Sequence, residues 1–227
     1  MGTEGDLLSA PRGFRQLVSS TVWAALVQSG VRQIHEPGGR LLVQGDPGRW
    51  VVILVAGRVK VIYSEPSGVE LLLAVRGPGD LLGEFSRNDD GPRTTTIQAM
   101  ERCVAYTLAD TQFTEFIRRH RLAEPLDRYV MTKVRESAVH TWQVAHRSTA
   151  PRLAGLLLNV VAAAGPDHPN PTMVPMSQEE LASALGLARS SIAPVLADWK
   201  RTGLVRLGRA RIFVEDPARM RAEYPAG

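Results

Sequence analysis

From residue 31 to residue 109 the chain is interrupted repeatedly by Gly, Pro or Asp, and the stretches between are rich in β-branched and apolar residues. This texture argues against long helices and calls for short strands joined by tight turns. The runs are Arg40–Gln44, Trp50–Val55, Arg58–Ser64, Glu70–Val75, Thr94–Ala99 and Cys103–Leu108. Breakers stand at Pro37-Gly38-Gly39, Gly45-Asp46-Pro47-Gly48, Ala56-Gly57 and Gly77-Pro78-Gly79-Asp80. Strands at this spacing predict a small all-β sandwich or roll.

Helical patterns flank the β-rich region. Residues 21–29 read as a short amphipathic helix, with Thr21 as its N-cap and Gly30 as its stop. Residues 111–146 turn helical again. There Val130, Val134, Ser137, Thr141 and Val144 are spaced 4-3-4-3, the seam of a coiled coil. Met131, Ala138, Trp142 and Ala145 form a second stripe. Two apolar faces on one helix need two covers, so one stripe is expected on the β-domain and the other on a second copy of the chain. A single helix buried within its own domain is the alternative. Residues 152–164 predict a further helix ending at Gly165-Pro166, and the proline-rich stretch 165–175 predicts a loop. The expected division is 1–110 as sensor domain, 111–146 as long helix and 147–227 as C-terminal domain.

The segment from Ser177 to Val214 is the most informative. Ser177 with Glu180 three residues on is a capping box, so a helix starts there. Leu181 and Leu185 sit one turn apart, Gly186 permits a tight turn, and a second helix runs from Arg189 to Arg201 with Ile192, Val195, Leu196 and Trp199 inward. Two helices about a glycine turn make a helix-turn-helix. Residues 204–207 and 211–214 follow as a hairpin, or wing, turning at Gly208-Arg209-Ala210. Between 186 and 211 stand six cations (Arg189, Lys200, Arg201, Arg206, Arg209, Arg211) and one anion, Asp198. Phosphate contacts supply most of the strength of protein–DNA binding, so this local excess points to double-stranded DNA. A helical hairpin that binds protein, with a solvated basic face, is the competing reading.

The bulk numbers exclude other classes. Of the 227 residues 44% are hydrophobic and 22% charged, as in ordinary globular proteins, and the net charge is +4. No run of 18 apolar residues suggests a membrane span, and the first residues lack the basic region and apolar core of a secretory signal. The single cysteine, Cys103, lies in a strand-like run and reads as a buried, inert thiol; a reducing, cytoplasmic setting is expected. His140 and His146 on the long helix, with His35 and His120, form neither a metal set nor a nucleophile–base pair, so neither metal nor catalysis is expected.

The layout over residues 21–214 resembles the catabolite activator/fumarate–nitrate regulator (CRP/FNR) family of transcription regulators. The resemblance implies an α+β fold: an N-terminal cyclic-nucleotide-binding-type β-roll, a long dimerisation helix and a C-terminal winged helix-turn-helix. It implies a homodimer that binds DNA and contacts RNA polymerase. It also implies that the second helix enters the major groove, with Arg189, Ser190 and Ser191 facing bases or phosphates and Arg189 suited to guanine. Ser177, Gln178, Lys200 and Arg209 are further DNA-contact candidates. Pro194 departs from the family: it lacks an amide proton and conflicts with the carbonyl of Ser190, which implies an altered site preference and a kinked helix.

The segment Gly79-Asp80-Leu81-Leu82-Gly83-Glu84, followed eight residues later by Arg93-Thr94-Thr95, resembles the phosphate-binding cassette of cyclic-nucleotide-binding domains. By that resemblance Gly83 lets amides approach the phosphate, Arg93 grips it, Thr94 adds a hydroxyl, Glu84 accepts from a ribose hydroxyl and Phe85 lines the site. Ser137 falls where relatives present a hydroxyl to the purine, although it also suits a close-packed seam. The implied ligand is cAMP or cGMP. Against this, the linker Phe85-Ser86-Arg87-Asn88-Asp89-Asp90 is polar where relatives carry a short apolar helix. Asp89 and Asp90 would repel a phosphate, and Arg87 can compete for Glu84. A Glu84–Arg93 salt bridge in a degenerate roll, in a regulator that is constitutive or answers another signal, therefore stays open.

Overall fold

The computed structural model describes residues 13–87, 91–165 and 167–225, with Ser86 and Arg87 described in their backbone only. Asp89 and Asp90 lie outside the described residues, as do the side-chain contacts expected of Arg87.

Helix α1 (Ser20–Gln28) opens the described chain after a 3-10 turn at Gly13–Leu17. Its N-cap is Ser19, whose hydroxyl accepts from the amide of Val22, so the start lies two residues before the predicted Thr21. Eight strands follow: β1 (Val31–His35), β2 (Arg40–Leu42), β3 (Trp50–Ala56), β4 (Val59–Ser64), β5 (Glu70–Arg76), β6 (Leu81–Leu82), β7 (Thr96–Ala99) and β8 (Cys103–Ala109). They form two antiparallel sheets, ordered β1-β8-β3-β6 and β2-β7-β4-β5. Strands β1 and β6 are additions to the six runs read from sequence.

Strand β3 shows why its sequence is continuously apolar. Its side chains alternate between faces, and both faces are covered. Val52 and Leu54 point between the sheets with Leu42, Ile97 and Ala105. Val51 and Ile53 point to the other side, onto Phe14, Trp23, Leu26, Phe113 and Leu126 from the helices.

The helical region after the roll is two helices, α2 (Asp110–Arg119) and α3 (Ala123–His146), separated where Arg121 takes a φ of 54°. Pro125 lies in the first turn of α3, where its missing amide proton costs nothing. The inner face of α3 is not either of the apolar stripes. Leu126, Tyr129 and Lys133 are the buried residues, while Met131, Val134, Val139, Trp142 and Val144 are exposed. The expectation that one stripe packs on the β-domain is therefore corrected. The buried polar side chains there, Tyr129 and Lys133, have partners on the cassette strand that repay their burial, and the exposed Glu136 forms an ion pair 2.6 Å from Arg76.

Beyond α4 (Thr149–Ala162), strand β9 (Met173–Val174) replaces part of the predicted loop. Then come α5 (Gln178–Ala184), α6 (Arg189–Arg201), β10 (Val205–Gly208), β11 (Arg211–Val214) and α7 (Pro217–Glu223), with the sheet ordered β10-β11-β9. One core joins Leu157, Leu181, Ile192, Leu196, Trp199 and Val214. Leu72 and Met100 of the roll belong to the same cluster, so the roll and the C-terminal unit share apolar surface. At Gly77 the loop between β5 and β6 approaches Ala163 so closely that a Cβ would lie 1.9 Å from that carbonyl oxygen.

Candidate ligand pocket and nucleic-acid interface

The cassette follows the short strand β6. Gly83 takes a φ of 81°, and a Cβ there would lie 2.1 Å from Nη1 of Arg93, so the turn exists to let that guanidinium in. Arg93 is buried. Its Nη1 donates to the carbonyl of Gly83 at 2.8 Å and its Nη2 to the carbonyl of Trp50, while its Nε has no partner. Burial pulls its pKa below the usual arginine value, against the opposing charges of Glu84, Asp110 and Asp46.

Glu84 is also buried, and its partner is Lys133 rather than Arg93: Nζ lies 2.6 Å from Oε1. Lys133 donates to the carbonyl of Leu81 at 2.7 Å as well and sits 4.4 Å from the centroid of the Tyr129 ring. The Tyr129 hydroxyl donates to Asp80 and accepts from the amide of Leu81, at 2.8 and 3.0 Å. Burial first, then the charges of Asp80 and Glu84, push its pKa well above the usual tyrosine value. The long helix is thus bolted to the cassette by polar contacts.

A cavity of about 910 Å³ opens beside this network. It is lined by Gly83, Glu84, Phe85, Arg93, Thr94 and Ser137, so the structure brings all six expected ligand residues to one space. Phe85, Thr94 and Ser137 are exposed along it. Thr141 turns its hydroxyl back to the carbonyl of Ser137 at 2.9 Å. A 3-10 turn, Glu84–Arg87, opens the polar linker. Two parts of the site fit an anionic ring: a buried guanidinium with an orphan N–H, and a glycine turn with no room for a side chain.

Lys133 and Tyr129 were not singled out from sequence. The available signal was the spacing Tyr129, Lys133, Glu136, His140, a polar stripe that is easily taken for a solvated face. His140, on the same stripe, is half-buried, and burial, then Arg152, lower its pKa. Cys103 is buried, and burial pushes its thiol up to about 12.

At the C-terminal end the capping box is present in both directions. The Ser177 hydroxyl accepts from the amide of Glu180, and the Glu180 carboxylate accepts from that of Ser177. Gly186 turns the chain at a φ of 63°. Helix α6 runs unbroken through Pro194, which faces outward. Ile192, Leu196 and Trp199 hold it to the core, and Trp199 Nε1 donates to the Tyr224 hydroxyl at 2.9 Å. Arg152 on α4 donates to the carbonyl of Leu185 in the turn. Arg189, Ser190 and Ser191 are left exposed at the helix start.

A notch between α5, α6 and the wing brings Ser177, Gln178 and Arg189 together with Arg211, whose place in it the sequence did not show. Lys200 lies at the far end of α6 and Arg209 in the wing turn, where Ala210, not Gly208, takes the positive φ of 53°. The six cations are not equally available. Arg189 pairs with Glu179 at 3.0 Å, Arg201 with Asp198, and Arg206 with Glu215 at 2.7 Å while stacking on Phe213. Lys200, Arg209 and Arg211 have no acidic partner among the described residues.

Residues 32–120 match the family model of the cyclic nucleotide-binding domain, and residues 151–223 that of the Crp-like helix-turn-helix domain. The chain belongs to the CRP/FNR family. Similar to this CRP/FNR protein is the CRP-like cAMP-activated global transcriptional regulator of Mycobacterium tuberculosis, 27% identical over 219 residues, which are 95% of this chain and 97% of that one. The cyclic AMP receptor protein of Thermus thermophilus is 28% identical over 193 residues, or 82% and 85% of the two chains. The c-di-GMP responsive global regulator CLP of Xanthomonas campestris shares the fold, with a TM-score of 0.70 at 17% identity over 87% of this chain and 100% of that one. The CRP/FNR chain is accordingly a DNA-binding transcription regulator with a cyclic nucleotide-binding domain. Its relatives are regulators rather than enzymes. Among the described residues no group of three or more His, Cys, Asp or Glu could hold a metal, and no helix is long and apolar enough to cross a membrane.

Proposed function

We propose that this regulator acts as a homodimer gated by a cyclic nucleotide, of the cAMP or cGMP type, in the cavity between cassette and long helix. The observation that carries the gating is the convergence of Gly83, Glu84, Arg93, Thr94 and Ser137 on one cavity whose other wall is α3. A bound ring would place an anion before the Arg93 fork and hydroxyls before Glu84, and the same helix wall runs on toward the DNA-binding unit. The ligand shifts the equilibrium only as far as it binds one arrangement better than the other.

Twofold symmetry is supported by the exposed side of α3, where Trp142 is 55% exposed among Met131, Val134, Val139 and Val144. A second copy would cover these apolar groups. Two outward α6 helices then meet half-sites about one helical turn, ~34 Å, apart. Arg189, Ser190 and Ser191 read bases, Ser177, Gln178, Lys200 and Arg209 hold phosphates, and the division at 1–110, 111–146 and 147–227 separates sensor, coupler and reader. RNA polymerase and a cytoplasmic site of action belong to the same proposal.

A second reading is favoured by one feature: Glu84 and Arg93 are each already partnered within the chain. In that reading the pocket is vestigial and the protein binds DNA constitutively or on another signal. Selection of duplexes from a random pool, with and without cAMP or cGMP, separates the two. Enrichment that depends on nucleotide supports gating; identical enrichment, with no heat of nucleotide binding by calorimetry, supports the second reading. No enrichment under any condition overturns sequence-specific DNA binding.

A further inference from the structure

Arg58 begins the β4 hairpin of the roll and is wholly buried, at 0% exposure. It is the most completely buried charged side chain among the described residues, and neither the pocket nor the DNA-reading face uses it. Its guanidinium spans two folding units. On the roll side Nε and Nη2 grip both oxygens of Glu101, at 2.8 and 2.7 Å. On the other side Nη1 donates to the carbonyls of Val160, at 3.3 Å, and Met173, at 2.8 Å.

The carbonyl of Val160 lies in the last turn of α4, where no helical amide follows to satisfy it. Arg58 caps that helix end from another domain, with a cation where the helix dipole favours one. His168, in the segment between α4 and β9, completes the cluster. Its Nδ1 accepts from the amide of Asn170 at 3.0 Å, which leaves Nε2 to donate to Glu101 at 3.0 Å. Lys60 and Glu180 add a looser pair across the same seam, at 3.8 Å.

We propose that Arg58, aligned by Glu101 and His168, is a latch that sets the orientation of the helix-turn-helix unit on the sensor roll, and that release of this latch is a regulated step. Parting the two units would strand a buried, half-bonded guanidinium until water reaches it. The seam therefore has two arrangements, closed or hydrated, rather than a continuum. Arg58 is a positioning residue: it acts on DNA only through the placement of α6. This inference rests on the DNA-binding reading for its consequence, but not for its test.

The test is a distance. Cys103 is buried with its thiol pushed up to about 12, so labels can be attached to two added surface cysteines, Ser67→Cys on the roll and Ala222→Cys on α7. Pulsed electron paramagnetic resonance on full-length protein, diluted with unlabelled chain, reads their separation without DNA. A single narrow distribution is expected. Arg58→Met should broaden it at least twofold, and Arg58→Lys, which keeps the charge but loses the fork, should broaden it less. If Arg58→Met does not fold, Glu101→Gln and His168→Ala are read in the same way.

An already broad distribution in the parent chain, or one unchanged in every folded variant, overturns the latch. Mobility-shift measurements on the same proteins keep the two claims apart. A parent chain that binds no duplex sinks the DNA reading alone, while broadened variants with unaltered nucleotide dependence of DNA affinity would sink the regulatory part of the latch.

Discussion

The ammonium of Lys133 lies 2.6 Å from the carboxylate of Glu84, both of them buried. Removing one member of such a pair leaves an uncompensated charge without water. Lys133→Met is therefore expected to lower stability by about 3–5 kcal/mol, with Lys133→Met/Glu84→Gln recovering part of it. Denaturant titration checks this. A single variant as stable as the parent would show that the pair is hydrated and not structural.

Arg93 offers a planar fork that lysine cannot reproduce. Arg93→Lys should weaken cyclic nucleotide binding by tenfold or more while leaving the fold intact by circular dichroism. Gly83→Ala should do the same indirectly, because its methyl would occupy the space of Nη1. Calorimetric titration with cAMP and cGMP decides the matter, and undiminished affinity in Arg93→Lys would remove the fork from the pocket's chemistry.

On the DNA side two arginines should behave differently. Arg189→Ala, at the exposed start of α6, should cost about 1–3 kcal/mol and relax preference at one base position. Arg209→Ala, in the wing turn, should weaken all sequences alike and reduce the salt slope by about 1. Binding isotherms on selected and scrambled duplexes over a range of salt distinguish these outcomes. Equal loss on both duplexes for Arg189→Ala would place it on phosphate instead.

Burial alone would raise the Glu101 carboxyl, but hydrogen bonds and charge from Arg58 and His168 hold it below the usual value of 4.5. A carboxylate depressed in the folded state stabilises above its unfolded pKa, and this contribution is lost as pH falls through the folded one. The urea midpoint should thus decline below about pH 4.5 with a part due to Glu101, and Glu101→Gln should flatten that part at the cost of lower stability near pH 7. An acid limb of the same steepness in Glu101→Gln would contradict this.

The Cys103 thiol, pushed up to about 12 by burial, should be unreactive in the folded protein. A thiol-specific reagent at pH 8 is expected to modify it only at the rate of unfolding. Rapid modification under native conditions would mean that the inter-sheet core opens locally.

Local pattern and remote partnership account for what the sequence disclosed and what it concealed. The capping box at Ser177, the inward residues of α6 and the wing were legible because each depends on neighbours within a turn or a hairpin. The roll's inner strands were legible because both their faces are buried, as in Trp50–Ala56. Strand β1 was missed because most of its residues are exposed, leaving no alternation to read. Strand β9 was missed because two residues amid prolines gain strand geometry only by pairing with β11. The pocket's candidate residues were legible by resemblance, whereas Lys133, Tyr129 and Arg58 were not. Polar side chains enter a core only when a partner waits there, and theirs lie 43 to 115 positions away.

The approach of Gly77 to Ala163 carries a consequence for variation. No methyl fits between them, so even alanine at position 77 would act as a wedge driven into the joint. Its effect would fall on the mutual attitude of two intact lobes rather than on the integrity of either. Inheritance could thus retune how this molecule couples signal to reading by altering one carbon, without touching a group that contacts ligand or DNA.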